Sequence, residues 1–463
     1  MTTIDAEQPQ GRDRTLALIA MSLGLFLVAI DFSSLSVVIV AIEQDLGTTL
    51  NRAQWVINAY TVAFGVTIVT GGRLADMFGR KRIFMIGCGL FTVFSLVGGL
   101  APDINTLIAA RALTGIGGAL VWPAVMGMTY AVLPKERAGL AGGLILGVIA
   151  FGNATGALLG GFLTDAIDWR WVLYLNIPLA LGAMWLAQGR IPAMPGTGRQ
   201  RIDYRGIALL SAGIVLILVG LDIGSDVGIP RAVTFALIGA GLLVLIVFLM
   251  VERGQGDAAL IPRDVMRMPT FAATIVCVVL MSSVFFAALV YVPQFTQKGL
   301  GWSAFAAGLG LLPLLATQAC ISLVAGPLYD RLGGRLVLTA GALFMIAGMV
   351  MMSFLSTTEG YMSVLPGMIV TGIGMGLFYP AVVTAATTAA GVAHASLAGG
   401  IVYMCQVAAG SLGLGINTAI VLAGSTLDGG ITTAFVFDAC LGATALLILL
   451  VFVRGNPACP ARP

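Results

Sequence analysis

The sequence is poor in charged residues. Only 10% of its 463 residues are Asp, Glu, Lys or Arg, whereas 59% are hydrophobic and the mean hydropathy is +1.01. Soluble globular domains are about a quarter charged, so this chain lacks the charge that a water-facing surface needs. The composition therefore predicts a polytopic membrane protein that is surrounded by a lipid bilayer.

Catalytic and metal-binding patterns are missing as well. The chain has a single histidine, His394, and its six cysteines show neither paired nor metal-ligand spacing. No Ser/His/Asp set is evident, and the run FGRKR (78–82) lacks the GK[ST] ending of a nucleotide-binding loop. We therefore expect no enzyme, no metal or other cofactor, and no nucleic-acid partner.

What the sequence does contain is apolar runs that are long enough to cross a membrane. Fourteen such runs predict an all-α protein with fourteen transmembrane helices. The 61 glycines fit close packing of helices in lipid. The predicted spans are 16–41, 53–71, 83–101, 105–131, 138–163, 171–188, 205–222, 232–251, 270–293, 304–325, 336–355, 363–387, 396–422 and 432–453.

The basic residues lie mostly on one side of this topology. If the N-terminus is cytoplasmic, most of the 24 Lys and Arg residues fall in cytoplasmic segments, and Arg111 lies within a span. The outer segments carry only Arg52, Arg170, Arg231 and Lys298. This asymmetry follows the positive-inside rule. It predicts that both termini are cytoplasmic and fits a bacterial inner (plasma) membrane.

Two halves of the chain repeat each other. GRLADMFGRK (72–81) aligns with GPLYDRLGGR (326–335), and TGIGGALVWPAV (114–125) aligns with TGIGMGLFYPAV (371–382). Repeats in register across two six-helix halves are typical of transporters that bind substrate between the halves. The predicted domains are an N-terminal six-helix bundle at 1–190, a linker with two inserted helices at 191–268, and a C-terminal six-helix bundle at 269–463.

Five stretches resemble the major facilitator superfamily, in particular its fourteen-helix drug:proton antiporter branch. They are DFSSLSVVIVAIEQDLG (31–47), GGRLADMFGRKR (71–82), ARALTGIGGAL (110–120), GNATGALLGG (152–161) and WRWVLYLNIP (169–178). The resemblance covers nearly the whole chain. It implies the fold of that family, with two six-helix bundles plus two inserted helices.

The resemblance also implies a function. Members of this branch export small amphipathic compounds, including drugs and antibiotics, in exchange for protons and by alternating access. The glycines Gly152, Gly156, Gly160 and Gly161 match the branch's antiporter signature on helix 5, where they are expected to form a leak-tight interface; Ala157 stands where that signature has proline. Glycine spacing alone would equally fit ordinary helix packing.

Asp31 is the residue that most needs explanation, because it lies inside the first apolar span. A charged group at the bilayer centre costs roughly 2.5–3.5 kcal/mol on insertion scales, so such residues face the bundle interior. A carboxyl group that leaves water favours its protonated form, which suits a proton-coupled carrier. The alternative is an acid that a salt bridge holds permanently.

Arg111 is the predicted partner of Asp31. Helix rise places Asp31 about 13 Å, and Arg111 about 9 Å, below the same face of the membrane. A direct or water-bridged pair is therefore within reach, either as a proton-coupling pair or as a fixed ion pair. In the family, the corresponding arginine is implicated in proton movement, which the resemblance extends to Arg111.

The other ionisable candidates are few. His394 is placed in the loop between helices 12 and 13, Asp165 and Asp222 at outer interfaces, and Asp438 near the top of helix 14, where it would be peripheral. The repeat-related position of Asp31 is Phe285. Proton coupling is therefore predicted to depend almost entirely on Asp31.

The loop between helices 2 and 3 is predicted to be a cytoplasmic gate. Its acid can meet the positive end of a helix in the other half, and its cations can close the inner face in one state. The alternative is that these cations only set loop orientation. With their repeat counterparts, the gate residues are Gly72, Asp76, Gly79, Arg80, Lys81, Asp330 and Arg335.

Polar and aromatic side chains within the spans are candidates for the substrate cavity. An apolar cavity with few polar points suits amphipathic cargo, and a single deep acid favours monocationic or neutral compounds over dications. The candidates are Asn58, Tyr60, Trp122, Asn153, Tyr291, Gln294, Gln318, Tyr379, Gln406 and Asn417.

Three functions remain open from the sequence. The first is a proton-coupled exporter that works as a monomer on small amphipathic substrates. The second is a proton-linked importer or symporter of a specific metabolite. The third is a non-transporting membrane scaffold, which would leave Asp31 without a purpose.

The substitution Asp31→Asn tests the role of the buried acid. We expect the variant to fold and insert but to lose gradient-driven transport, because an amide cannot take up and release a proton. Proton flux into proteoliposomes is the measurement. Flux equal to that of the unmodified protein would refute the role of Asp31.

Overall fold

The structure is a computed structural model that describes residues 12–132, 138–191, 203–223, 230–254, 268–390 and 395–452. Within these ranges it contains fourteen long helices and no strand. The helices are Arg12–Asp45 (α1), Leu50–Phe78 (α2), Arg80–Gly99 (α3), Ile104–Val132 (α4), Ala138–Ala166 (α5), Arg170–Arg190 (α6), Tyr204–Ile223 (α7), Arg231–Glu252 (α8), Pro269–Gln294 (α9), Ala304–Leu332 (α10), Gly334–Met352 (α11), Leu365–Ala390 (α12), Ala395–Ala423 (α13) and Leu427–Phe452 (α14). A π-helical turn, Phe295–Gly299, continues α9.

Each of these helices is long and apolar enough to span a bilayer, which confirms the fourteen predicted spans and the all-α polytopic class. The helices pack in the same pattern in both halves. In the N-terminal half, α1 packs on α5 and α6, while α4 packs on α2 and α3. In the C-terminal half, α9 packs on α13 and α14, while α12 packs on α10 and α11. The two inserted helices, α7 and α8, pack mainly on each other, and α7 also touches α2 and α13.

Two repeat-related glycines make the tight turns between the second and third helices of each half. Gly79 separates α2 from α3 with φ +96°, and Gly333 separates α10 from α11 with φ +84°. Residues with a side chain rarely adopt this backbone conformation, whereas glycine does so readily. The end of the protein that carries the α2–α3 turn, with Arg80, Lys81 and Arg82, is called the basic end here, and the opposite end is called the far end.

The two halves touch through small residues. A Cβ atom at Gly161 of α5 would lie 2.3 Å from the backbone oxygen of Ala304 of α10, and one at Gly308 would lie 2.2 Å from the oxygen of Ala157. Near the middle of the bundle, α2 meets α13 in the same way, because a Cβ at Gly65 would lie 3.0 Å from a backbone nitrogen. The helix backbones are therefore in direct contact.

Polar contacts join the halves at the far end. The carboxylate of Asp165, near the end of α5, accepts hydrogen bonds from the backbone N–H groups of Ala304 (3.1 Å) and Phe305 (2.8 Å) at the start of α10. An acid at a helix N-terminus also complements the helix dipole. Lys298, in the π-helical turn, forms an ion pair with Glu43 of α1. The far end is therefore closed in this conformation.

Substituting Gly161 tests the contact between α5 and α10. We expect Gly161→Ala to lower the thermal unfolding midpoint of the purified protein, because overpacking a tight contact typically costs about 1–3 kcal/mol. Gly182→Ala on α6 is the matched control, since a Cβ there has nothing within 4 Å. In a helix, alanine is otherwise more favourable than glycine, so the control should be neutral or stabilised. An equal upward shift in both variants would contradict the predicted contact.

Candidate functional site

The structure brings Asp31 of α1 and Arg111 of α4 into direct contact. Arg111 Nη1 donates to Asp31 Oδ1 at 3.0 Å, and Nη2 donates to Oδ2 at 2.8 Å. Both residues are almost completely buried, with 0% of Asp31 and 1% of Arg111 exposed. Bidentate pairs of this kind are among the strongest hydrogen-bonded contacts in proteins. The two side chains therefore lie at a similar depth, as the rise of their helices predicts.

Two further side chains complete the surroundings of the pair. Asn176 of α6 donates from Nδ2 to Asp31 Oδ1 at 2.7 Å and to Ser95 Oγ of α3 at 3.3 Å. The ring of Tyr60 lies under the guanidinium of Arg111, with 4.4 Å from Cζ to the ring centroid. Such cation–π contacts are attractive, and more so away from water. The ionised form of Asp31 is therefore well matched in this conformation.

The role of Asn176 was missed by the sequence analysis. It belongs to WRWVLYLNIP, one of the stretches that carries the family resemblance, but it was not selected as a candidate. The signal was an amide inside an apolar span, at the depth that Asp31 reaches from its own helix. The stretch WRWVLYLNIP thus contains a residue that contacts the acid.

The ion pair still has capacity for further hydrogen bonds. Within the part of the chain that the structure describes, Arg111 Nε and the hydroxyl of Tyr60 are buried and have no hydrogen-bond partner. Unsatisfied buried polar groups are rare and costly. The ion pair is therefore flanked by two buried polar atoms whose hydrogen-bonding capacity is unused among the described residues.

Asp438 is also a buried acid, and its predicted peripheral position is wrong. It is 0% exposed. Ser283 Oγ of α9 is within hydrogen-bond distance of its Oδ1, and Asn417 Nδ2 of α13 donates to its Oδ2 at 2.9 Å. The helix begins at Leu427, five residues before the predicted start of the span at 432, so Asp438 lies deeper than the sequence indicated.

The position that repeats Asp31 in the C-terminal half carries an aromatic residue. Phe285 stacks on Phe32 of α1, with ring centroids 6.3 Å apart, and Phe286 meets the same ring edge-on at 5.3 Å. Offset and edge-on aromatic pairs add to the hydrophobic contact. Next to Asp31, the halves are thus joined by aromatic rings rather than by charge.

Hydrogen bonds cross between the halves from α2. Thr418 Oγ1 of α13 bonds to Gln54 Oε1, and it is also 3.0 Å from the hydroxyl of Tyr291 of α9. Nearby, Ser411 Oγ lies 3.3 Å from Asn58 Oδ1. Three candidate cavity residues, Asn58, Tyr291 and Asn417, therefore lie on or next to the interface between the halves.

An aromatic cluster joins α4 to α13. The rings of Trp122 and Tyr403 stack with centroids 4.5 Å apart, and Phe64 of α2 meets both edge-on. Tyr403 was not among the predicted cavity residues. Of the remaining candidates, two are buried, Gln294 and Tyr379, and three are partly buried, Asn153, Gln318 and Gln406.

The described contacts of the predicted gate residues in the N-terminal half lie within that half. Arg80 forms an ion pair with Asp76 at 3.2 Å and donates to the backbone oxygen of Gly127 at 2.8 Å. Lys81 Nζ donates to the backbone oxygen of Ile191, the residue that follows α6, at 2.6 Å. Gly72 lies beside α4, where a Cβ would be 3.5 Å from the Cβ of Pro123. Contact with the other half stays a prediction.

Of the repeat-related gate residues in the C-terminal half, Arg335 has a described hydrogen bond. Arg335 donates from Nη2 to the backbone oxygen of Leu450 at 2.8 Å, again within one half. The side chain of Asp330 and the whole of His394 lie outside the described residues, as does the side chain of Asp222.

The helix 5 glycines form one continuous contact with α1. A Cβ at Gly152 would lie 2.7 Å from Ala29, one at Gly156 would lie 2.1 Å from Ser33, and one at Gly160 would lie 2.8 Å from the backbone of Ser34. The next residue, Gly161, faces α10 instead. These glycines hold α1, and therefore Asp31, close to the interface between the halves.

Together, the paired six-helix bundles and the ion pair buried within the N-terminal bundle fit the class of secondary membrane transporters. Comparison with known proteins identifies the family. The sequence model of the Major Facilitator Superfamily matches residues 21–414 of the chain. The chain therefore belongs to the Major Facilitator Superfamily and is a transporter rather than an enzyme.

Several curated proteins resemble this sequence over most of its length. The puromycin resistance protein pur8 of Streptomyces alboniger is 34% identical over 94% of this chain and 86% of its own length. The cephamycin export protein CmcT of Amycolatopsis lactamdurans is 30% identical over 100% of this chain and 96% of its own length. The multidrug resistance protein Stp of Mycobacterium tuberculosis is 28% identical over 89% of this chain and 76% of its own length.

Solved structures agree with the fold. The peptide transporter POT in complex with sulfate superimposes with a TM-score of 0.69 at 15% identity, covering 94% of this chain and 93% of that one. The xylose transporter XylE from E. coli superimposes with a TM-score of 0.64 at 14% identity, covering 96% of this chain and 99% of that one. The likeness confirms the major facilitator fold.

Substitutions in the ion pair should show strong coupling. We expect Arg111→Met to destabilise the protein by roughly 3–5 kcal/mol, because it leaves Asp31 buried without a counter-charge. The double variant Asp31→Leu with Arg111→Met should recover much of that loss, because apolar pairs of similar volume often replace buried ion pairs without cost. Thermal unfolding in detergent is the measurement. A double variant no more stable than the single one would contradict the coupling.

Proposed function

We propose that the protein is a proton-coupled secondary transporter that exports small amphipathic compounds, such as drugs or antibiotics, by proton antiport with alternating access. The observation that carries this proposal is the Asp31–Arg111 pair buried within the N-terminal bundle, where Asn176 also donates to Asp31. Intramembrane ionisable residues of this kind mark proton and substrate pathways. We propose no cofactor, because the proton gradient supplies the energy.

The relatives support the direction of transport. Pur8 is named for resistance to puromycin, CmcT for export of cephamycin, and Stp for multidrug resistance. Resistance through a transporter requires that the compound leaves the cell. We extend this direction, and the amphipathic character of the cargo, to the present chain.

The orientation follows from charge. The basic end carries Arg80, Lys81 and Arg82, and positively charged loops remain in the cytoplasm. We propose that this end, with both chain termini, faces the cytoplasm of a bacterial cell and that the far end faces outward. In the described conformation, the Asp165 and Lys298 contacts then close the outer side.

The proposed cycle alternates the charge of one carboxyl group. A proton that enters from outside binds Asp31 and removes the negative charge that holds Arg111. The contacts that join α1 to α4 and α6 then weaken, and the two bundles can change their relative tilt. Release of the proton to the cytoplasm restores the ion pair, and cargo moves outward in exchange.

The proposed architecture assigns these events to domains. The N-terminal bundle (1–190) carries the proton-coupling pair, the C-terminal bundle (269–463) supplies the opposing wall of the cavity, and the insert (191–268) lies beside them. The candidate cavity residues at the interface come from both bundles. A single chain therefore contains every part of the proposed cycle, and we propose that it works as a monomer.

Dye efflux from cells that lack their own pumps tests the function. We expect cells that express the protein to retain less of a fluorescent cationic dye than control cells, and a protonophore to abolish the difference. Asp31→Asn should behave like the empty control, whereas Glu359→Gln, at an exposed acid in a loop, should behave like the unmodified protein. Increased retention would indicate import, and unchanged retention would indicate a scaffold; either would overturn the proposal.

A further inference from the structure

Asp438 lies in a polar site that the proposed transport cycle does not use. Ser283 of α9, Asn417 of α13 and Asp438 of α14 contact one another, since Asn417 Nδ2 is 2.9 Å from Asp438 Oδ2 and 3.1 Å from Ser283 Oγ. All three residues are buried. Three helices of the C-terminal half therefore converge on one carboxyl group, as three helices of the N-terminal half converge on Asp31.

The two sites differ in their charge. In the N-terminal half, the acid is on the first helix, the amide is on the sixth, and the arginine is on the fourth. In the C-terminal half, the first helix offers the hydroxyl of Ser283, and the sixth helix carries the acid. At the repeat offset that aligns TGIG (114–117) with TGIG (371–374), the position of Arg111 is occupied by Met368. The C-terminal half thus retains a buried acid but has lost the arginine.

The helices around Asp438 provide no counter-charge. The sequences of α9, α12 and α13 contain no Asp, Glu, Lys or Arg. The single cation of α11 is Arg335, which donates to Leu450 O near the basic end, and Lys298 of the π-helical turn pairs with Glu43. A buried carboxylate with no opposite charge is strongly disfavoured relative to its neutral form.

The other titratable groups near the site are neutral and otherwise engaged. The hydroxyl of Tyr379 of α12 donates to the backbone oxygen of Met281 at 3.1 Å. The hydroxyl of Tyr291 of α9 is 3.0 Å from Thr418 Oγ1, and Cys277 Sγ of the same helix lies 3.4 Å from a backbone oxygen of α14. None of these contacts supplies a positive charge to Asp438.

Asn417 is suited to both forms of a carboxyl group. In the orientation described, its N–H donates to Asp438, whereas its own Oδ1 is buried and has no hydrogen-bond partner among the described residues. Amide nitrogen and oxygen are exchanged by a simple rotation of the side chain. After that rotation, the amide oxygen would face Asp438 and could accept the proton of the neutral acid.

We propose that Asp438, with Ser283 and Asn417, forms a second proton-binding site in the C-terminal half, which holds a proton while Asp31 is ionised. The proton bridges Asp438 to Ser283 Oγ or to the Asn417 amide oxygen. The residue after Asn417, Thr418, bonds to Gln54 of the N-terminal half. The second site therefore lies beside a hydrogen bond that joins the two bundles, where loss of its proton can influence their contact.

The role of this site in transport rests on the proposed function, but its protonation can be tested independently. Infrared spectroscopy of the full chain in lipid detects the C=O stretch of a protonated carboxyl group, and its downshift in D₂O identifies an exchangeable proton. At neutral pH we expect this absorption in the unmodified protein and in Asp31→Asn. We expect it to be lost in Asp438→Asn and kept in Glu359→Gln, the exposed control.

A second variant keeps the test decisive if Asp438→Asn fails to fold. Ser283→Ala retains the acid and removes one hydrogen-bond partner, so the same absorption should remain but shift to higher frequency. An unmodified protein without the absorption, or one whose absorption is the same in all variants, would overturn the inference. If the absorption behaves as expected but dye export is not found, the proton site stands and the proposed function fails; if export is found without the absorption, the reverse holds.

Discussion

The contact between Arg111 and Asp31 is the constraint on which the rest of the N-terminal half depends. Two charges removed from water are tolerated only when geometry and additional hydrogen bonds compensate for lost hydration. The bidentate fork, the amide of Asn176 and the ring of Tyr60 supply that compensation. Each comes from a different helix, so the ion pair fixes the relative positions of α1, α2, α4 and α6 at once.

The C-terminal half uses the same helical framework for different chemistry. At the position that corresponds to Asp31, its first helix carries Phe285, whose ring contacts the N-terminal half. Its buried acid, Asp438, lies on the sixth helix instead. The two halves pack their helices in the same pattern, with small residues at several crossings. They do not preserve buried polar groups in the same way. The asymmetry gives the protein one charged and one uncharged polar centre.

The sequence predicted those features that depend on distance along a helix. The rise per residue is nearly constant, so the depths of Asp31 and Arg111 followed from the span limits alone. Features that depend on helix rotation or on an accurate helix end did not follow. Asn176 could not be assigned to Asp31 without knowing which face of α6 points inward. Asp438 was placed too near the surface because five helical residues before the span are less apolar than the rest.

The closure of the far end has a further consequence for how the protein responds to its surroundings. Its polar contacts are a carboxylate on two backbone amides, one of them exposed, and a partly exposed lysine on a glutamate. Dissolved salt weakens exposed charge contacts more than it weakens buried ones. The salt content of the surrounding water therefore affects the far-end contacts more than it affects the contacts inside the bundle.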